Sequence, residues 1–301
     1  MTLTEELIER EPGLARITGK IEEIGSLPTI PAVAQLAINR ARDERSSMRG
    51  IADVISQDQA IAARILKVVN SAYYGLTQSV GSLPLALTVL GVREIVNLVM
   101  SVSVVSAFPS SSDNELFSQD ELWHASATCA CIAKSLAHGV GLGRFGSEAF
   151  LGGLVRDIGL IVLHQYLHDE FMAMLGAAKE QGLGPLEAEH AHLGATHPGI
   201  GAWLASKWAF PALLVDGIAY HHTPAEGPWD PPLAAVVYLA GLVLDCQGAD
   251  MDVAETAEAI EADAVWERLM ACGQPVRPPA SVTKLLDKIA EELEAAPLIL
   301  T

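Results

Sequence analysis

The sequence predicts an all-α protein built as two helical lobes. Three observations predict it. Apolar residues recur at spacings of three and four along most of the chain, the period of an α-helix. No run of alternating β-branched residues is long enough for a strand. A Pro-Ser-Ser-Ser-Asp-Asn stretch, residues 109–114, breaks the pattern as a loop and hinge between the two halves.

The elements follow in order. Residues 1–20 read as an N-terminal helical segment. Pro31 suits a first helical turn, after which Val33, Leu36 and Ala37 share a face. Ser46 or Ser47 caps a second helix carrying Ile51, Val54 and Ile55. Ile61, Ile65, Leu66 and Val69 line a third, and Gly75 ends that region. Residues 83–90 and 92–108 give two apolar helices around Gly91. Ser118, with Glu121 three residues on, is a capping-box pattern opening a helix to about residue 137. One helix is expected over residues 147–166 and an amphipathic one over 169–181, broken at 182–185. Further helices are expected over 198–208, 211–221 and 233–246, with a Pro- and Gly-rich loop at 223–232. From about Met251 the chain is acidic and helical, ending in a helix over 281–295.

Composition bounds the function. The chain has 301 residues, half of them hydrophobic and 19% charged, enough to bury a sizeable core. A net charge of −18 repels nucleic-acid phosphates and anionic membranes, so neither is an expected partner. Arg40, Arg42 and Arg45 are interleaved with Asp43 and Glu44 and read as a solvated face. Cys129, Cys131, Cys246 and Cys272 form no CxxC pair and read as buried free thiols of a reducing cytoplasm. The first residues lack the apolar core of a secretory signal. The uncharged stretch 95–112 is interrupted by Asn97, three serines and Pro109, and reads as a buried core helix rather than a membrane span. The expected location is cytoplasmic.

All nine histidines lie between His124 and His222. Imidazoles with a carboxylate are a metal-ligand set, and Asp157, His190, His192, His197, His221 and His222 are the candidates. The adjacent His221-His222 pair is the most suggestive. In Asn70-Ser71-Ala72-Tyr73-Tyr74-Gly75, Asn70 and Ser71 can satisfy open helix-end groups. Gly75 permits a left-handed turn there, so the segment reads mainly as a fold-defining turn.

Several of these stretches together resemble a known family. Val155-Arg156-Asp157-Ile158-Gly159 is similar to the His-Asp-Ile-Gly signature of the HD phosphohydrolase superfamily, with Arg156 in the His place. Leu27-Pro28-Thr29-Ile30-Pro31, residues 55–66, the segment 70–75 and residues 86–91 resemble the HDOD domain more specifically. Glu189, Gly194, His197, Gly201-Ala202, Trp208, Pro211 and His221-His222 match its second half. The resemblance covers about residues 21–245, with lobes at about 21–109 and 115–245, and implies an HD-like helical bundle in the second. Residues 246–301 form an acidic helical extension.

The departures from the pattern shape the functional expectation. The family's early His falls at Ala125, with His124 one position off, about 100° around a helix. The His of His-Asp is Arg156, and the late Asp falls at Gly241, with Asp245 one turn later. A guanidinium cannot ligate a metal. Beside Asp157 it is expected to neutralise the carboxylate and occupy the metal's place, chiefly as a structural ion pair, or else to bind phosphate with the histidines. Arg156, Asp157, Glu189, His197, His221 and His222 are thus expected to form a remnant site without metal, cofactor or catalysis. The main expectation is a bacterial signal-transduction module that binds a signalling protein, or a nucleotide or other anion, with the acidic C-terminal helices as a contact for a basic partner. The alternative is a metal-dependent phosphohydrolase acting on a nucleotide or cyclic dinucleotide through Asp157, His197, His221 and His222, aided by Glu189.

Overall fold

The computed structural model describes residues 3–25, 27–43, 45–109 and 114–295. Two helices, α1 (Leu3–Arg10) and α2 (Pro12–Ile24), precede a first lobe of five: α3 (Ala32–Arg42), α4 (Met48–Ile55), α5 (Gln59–Val69), α6 (Leu83–Leu90) and α7 (Val92–Ala107). The second lobe holds α8 (Gln119–Gly139), α9 (Gly146–Val155), α10 (Ile158–Tyr166), α11 (His168–Gln181), α12 (Pro185–Leu193), α13 (His197–Lys207), α14 (Ala212–Ala219) and α15 (Leu233–Gly248). Then come α16 (Val253–Ala262), α17 (Ala264–Met270) and α18 (Val282–Ala295). Among the described residues there is no strand, only an isolated bridge between Asn114 and Phe117. The all-α, two-lobed reading is correct; the central hinge residues 110–113 lie outside the described residues.

Local chemistry starts these helices where the sequence suggests. Ser47, not Ser46, caps α4 by accepting from the Gly50 N–H. Asp58 caps α5 through two bonds, to the Ala60 and Ile61 N–H groups, each 3.0 Å. Ser118 Oγ accepts from the Glu121 N–H at 3.2 Å and opens α8. The expected helix over 147–166 is instead two helices, broken at Arg156-Asp157. Asp157, with φ −95° and ψ 13°, leaves the helical ladder. The apolar periodicity runs on across the break and hides it.

Every residue of α7 from Ile95 to Val104 is buried, so the helix is apolar on all sides because protein surrounds it. Among the described residues no helix is long and apolar enough to cross a membrane. Helix α7 packs on α3, α5 and α6 in its own lobe and on α9 in the other. Two further contacts close the seam. The Trp208 indole N–H donates to the Pro28 carbonyl at 2.8 Å, and Arg42 donates to the Ala209 carbonyl at 3.1 Å.

The 70–75 turn has the expected role. Asn70 Nδ2 donates to the Leu66 and Val80 carbonyls, at 2.7 and 2.9 Å, and its Oδ1 accepts from the Val80 N–H at 2.7 Å. Gly75 sits in the left-handed region at φ 56°. Among the described residues the buried Ser71 hydroxyl has no hydrogen-bond partner. Tyr73 and Tyr74 meet edge to face, and Lys134 Nζ lies 5.2 and 4.9 Å from their ring centres.

Tyr74 also reaches a carboxylate that joins the lobes. Glu94 of α7 accepts from the Tyr74 hydroxyl (2.5 Å), Lys134 Nζ of α8 (2.7 Å) and Ser147 Oγ of α9 (2.5 Å). Burial alone would raise the Glu94 carboxyl, but Lys134 and these hydrogen bonds outweigh it and hold it below its usual range. A carboxylate depressed on folding adds stability above its unfolded pKa and loses it as pH falls through the folded value. Glu94→Gln is therefore expected to cost about 2 kcal/mol at pH 7 and to flatten the acid limb of a stability–pH curve; urea titrations from pH 3 to 7 check both. An unchanged acid limb refutes this role.

Helices α2 and α18 are fastened to the second lobe. The Gly13 N–H donates to the Gly194 carbonyl at 2.9 Å, and Arg16 and Lys20 of α2 pair with Glu170 at 3.0 and 2.5 Å. Helix α18 lies along α8, where Ser135 donates to Glu292. Of the four free cysteines, Cys129, Cys131 and Cys246 are buried as expected, but Cys272 is exposed because it follows α17 on the surface.

Candidate metal centre

Four donors converge where three chain segments meet. Asp157 occupies the break between α9 and α10, His197 opens α13, and His221-His222 follow α14. One ligand atom from each lies within 4.8 Å of all the others. Asp157 Oδ1 is 3.3 Å from both His197 Nε2 and His221 Nε2. His197 Nε2 is 3.3 Å from His221 Nε2 and 3.2 Å from His222 Nε2. His197 and His221 are buried, Asp157 is nearly so, and His222 is the most exposed of the four.

The opposite ring nitrogens fix how two of these imidazoles face. His197 Nδ1 lies 2.8 and 2.9 Å from the two Glu189 carboxylate oxygens, and the His197 main-chain N–H donates to Glu189 at 2.7 Å. His221 Nδ1 donates to the Ile218 carbonyl at 2.7 Å. Each acceptor requires the proton on Nδ1, which leaves Nε2 with its lone pair toward the centre in the neutral ring. Glu189 comes from α12 and is itself 1% exposed, so it orients His197 and is not a fifth donor.

Charge follows this arrangement. Burial would raise Asp157, but the Arg156 guanidinium and the His197 and His221 imidazoles beside it hold it well below the carboxylate range. Burial would lower His197, but Glu189 and Asp157 on its two sides raise it to about 9. His221 is lowered by burial, with Asp157 partly opposing, and His222 is lowered to about 3 by burial and by its two imidazole neighbours. Two carboxylates thus bracket one imidazole and call for positive charge at its Nε2.

These findings correct the expectation of a degenerate site. Ala125 on α8 and Gly241 on α15 indeed bring no donor, and neither does Arg156. The expectation of no metal counted those losses and underweighted what remains. Asp157, His197, His221 and His222 still supply four hard-to-borderline N and O donors in one cluster, a set suited to zinc, manganese or iron. Arg156 Nε bonds Asp157 Oδ2 at 2.8 Å, while Oδ1 faces the histidines, so the guanidinium leaves that oxygen to the cluster. His190 and His192, on the exposed side of α12, lie outside the cluster, as does His124.

Two supporting residues had no sequence signal. The Ile218 carbonyl is a backbone group and carries none. Glu11, between α1 and α2, accepts from the Thr196 N–H at 2.8 Å and the Thr196 hydroxyl at 2.7 Å, one residue before His197.

Comparison with known proteins agrees with the fold. A protein of Shewanella amazonensis SB2B named "Putative phosphohydrolase" is 24% identical, with TM-score 0.73 over 94% of this chain and 96% of that one. An HDOD domain protein of Geobacter sulfurreducens is 20% identical, with TM-score 0.75 over 95% of this chain and 99% of that one. An uncharacterised protein of Treponema pallidum (strain Nichols) is 26% identical over 231 residues, 76% of this chain. The match spans only 44% of that curated relative's length. The HDOD domain model matches residues 27–224, the first lobe, the second as far as α14 and the four clustered donors included, and the chain belongs to the HDOD family.

Proposed function

We propose that this chain is a metal-dependent phosphohydrolase acting on a phosphoester. One observation carries the reading: one ligand atom from each of Asp157, His197, His221 and His222 lies within 4.8 Å of the others, with the outer nitrogens of His197 and His221 already committed. A cation at that point would satisfy Asp157 Oδ1 and the clustered imidazole nitrogens together. A divalent ion bound at this point supplies Lewis-acid polarisation of a phosphoryl oxygen and makes water more acidic. His197, His221, His222 and Asp157 would hold it, and Glu189 would keep His197 aligned. The phosphohydrolase name of the Shewanella protein with the same fold supports the same reading.

Elemental analysis of the purified protein tests it. About one equivalent of manganese, iron or zinc is expected, lost in His197→Ala together with hydrolysis of p-nitrophenyl phosphate. Metal-free protein that stays inert after reconstitution with each ion would refute it.

A further inference from the structure

Resting on the hydrolase reading, we infer that Arg156 grips the phosphoryl group of the substrate and sets the site for a phosphomonoester. Arg156 shares the helix break with Asp157, and its Nε is spent on Asp157 Oδ2 at 2.8 Å. The two oxygens of one carboxylate therefore face different cations: Oδ1 the histidine cluster, Oδ2 the guanidinium. The two sites are immediate neighbours.

The guanidinium has a seat made for it. A Cβ placed on Gly241 of α15 would fall 2.1 Å from Arg156 Nη1, so the head group fits only because residue 241 has no side chain. Its side chain is 13% exposed, and among the described residues its terminal nitrogens, with four N–H donors, make no hydrogen bond to protein. Neighbouring Cys129 is no anionic partner, because burial pushes its thiol up to about 11. Asp245 attracts the guanidinium through space without a bond to it. A largely buried fixed cation with unspent donors beside a metal-type cluster matches an anion with several oxygens.

Oxygen count selects the ester. A phosphomonoester has three non-bridging oxygens, so one can face the four-donor centre while two meet the planar fork of Arg156. A diester has two and can meet the fork only once. In hydrolysis the water oxygen bonds to phosphorus, the P–O ester bond breaks, and the leaving alcohol takes a proton; Arg156 holds the phosphoryl oxygens and exchanges no proton.

The test uses the intact protein. p-Nitrophenyl phosphate and bis(p-nitrophenyl) phosphate are compared as substrates, inorganic phosphate is titrated calorimetrically, and metal content is measured. Arg156→Gln is expected to keep its metal, weaken inorganic phosphate at least tenfold, raise KM for the monoester and shrink the monoester-over-diester preference. Arg156→Lys should recover part of the phosphate affinity. Gly241→Ala, which unseats the head group but leaves the charge, should move in the direction of Arg156→Gln. Unchanged phosphate affinity in metal-replete Arg156→Gln overturns the inference. So does loss of metal from both Arg156 variants, which would make Arg156 only a support for Asp157. If wild-type protein takes up no metal, the hydrolase reading fails, while phosphate binding to wild type against Arg156→Gln still decides the grip.

Discussion

Gly159→Ala is expected to lower stability by about 4 kcal/mol or more and to strip the protein of bound metal. A Cβ at residue 159 would lie 2.1 Å from the His197 carbonyl oxygen, 2.8 Å from its carbonyl carbon and 2.9 Å from its Cα. All three are main-chain atoms, so no change of rotamer relieves the contact. Either α10 or α13 must move, and these helices carry Asp157 and His197 to within 3.3 Å of each other. Urea denaturation and metal analysis of the variant check this together. A wild-type midpoint with full metal content would show that the two backbones do not touch as described.

Glu189→Ala is expected to cost about 3 to 5 kcal/mol. The substitution leaves the His197 main-chain N–H and Nδ1 without their acceptor in a place where the histidine side chain is 3% exposed. The ring also loses the bond that selects its tautomer. Glu189→Gln separates the two effects. It preserves the shape and one acceptor, so the fold should survive, while metal affinity falls about 10- to 100-fold. Thermal melts with and without added Mn2+ read both quantities. Equal metal affinity in Glu189→Gln and wild type would rule out this orienting role.

The sequence makes the helices legible wherever a capping side chain meets an apolar stripe, as at Ser47 before Ile51 and Ser118 before Trp123. It misses the break at Arg156-Asp157, because Leu154, Val155, Ile158 and Ile161 keep a helical rhythm across it. Among the candidate residues, Asp157, His197, His221 and His222 are identifiable from the family pattern, and the structure brings all four together. Their sufficiency is not identifiable there. Comparing motifs marks Ala125, Arg156 and Gly241 as losses one position at a time. Which oxygen of Asp157 the guanidinium takes is a three-dimensional fact. The separation of Oδ1 from Oδ2 turns an expected blocked site into one with a free coordinating face.

Glu11 grips Thr196 through two hydrogen bonds, across 185 positions of chain. A domain edge drawn by motif at residue 21 would amputate that strut. A truncated protein could then keep every donor and still present His197 on a slackened shoulder, and its feeble chemistry would be blamed on the wrong residues.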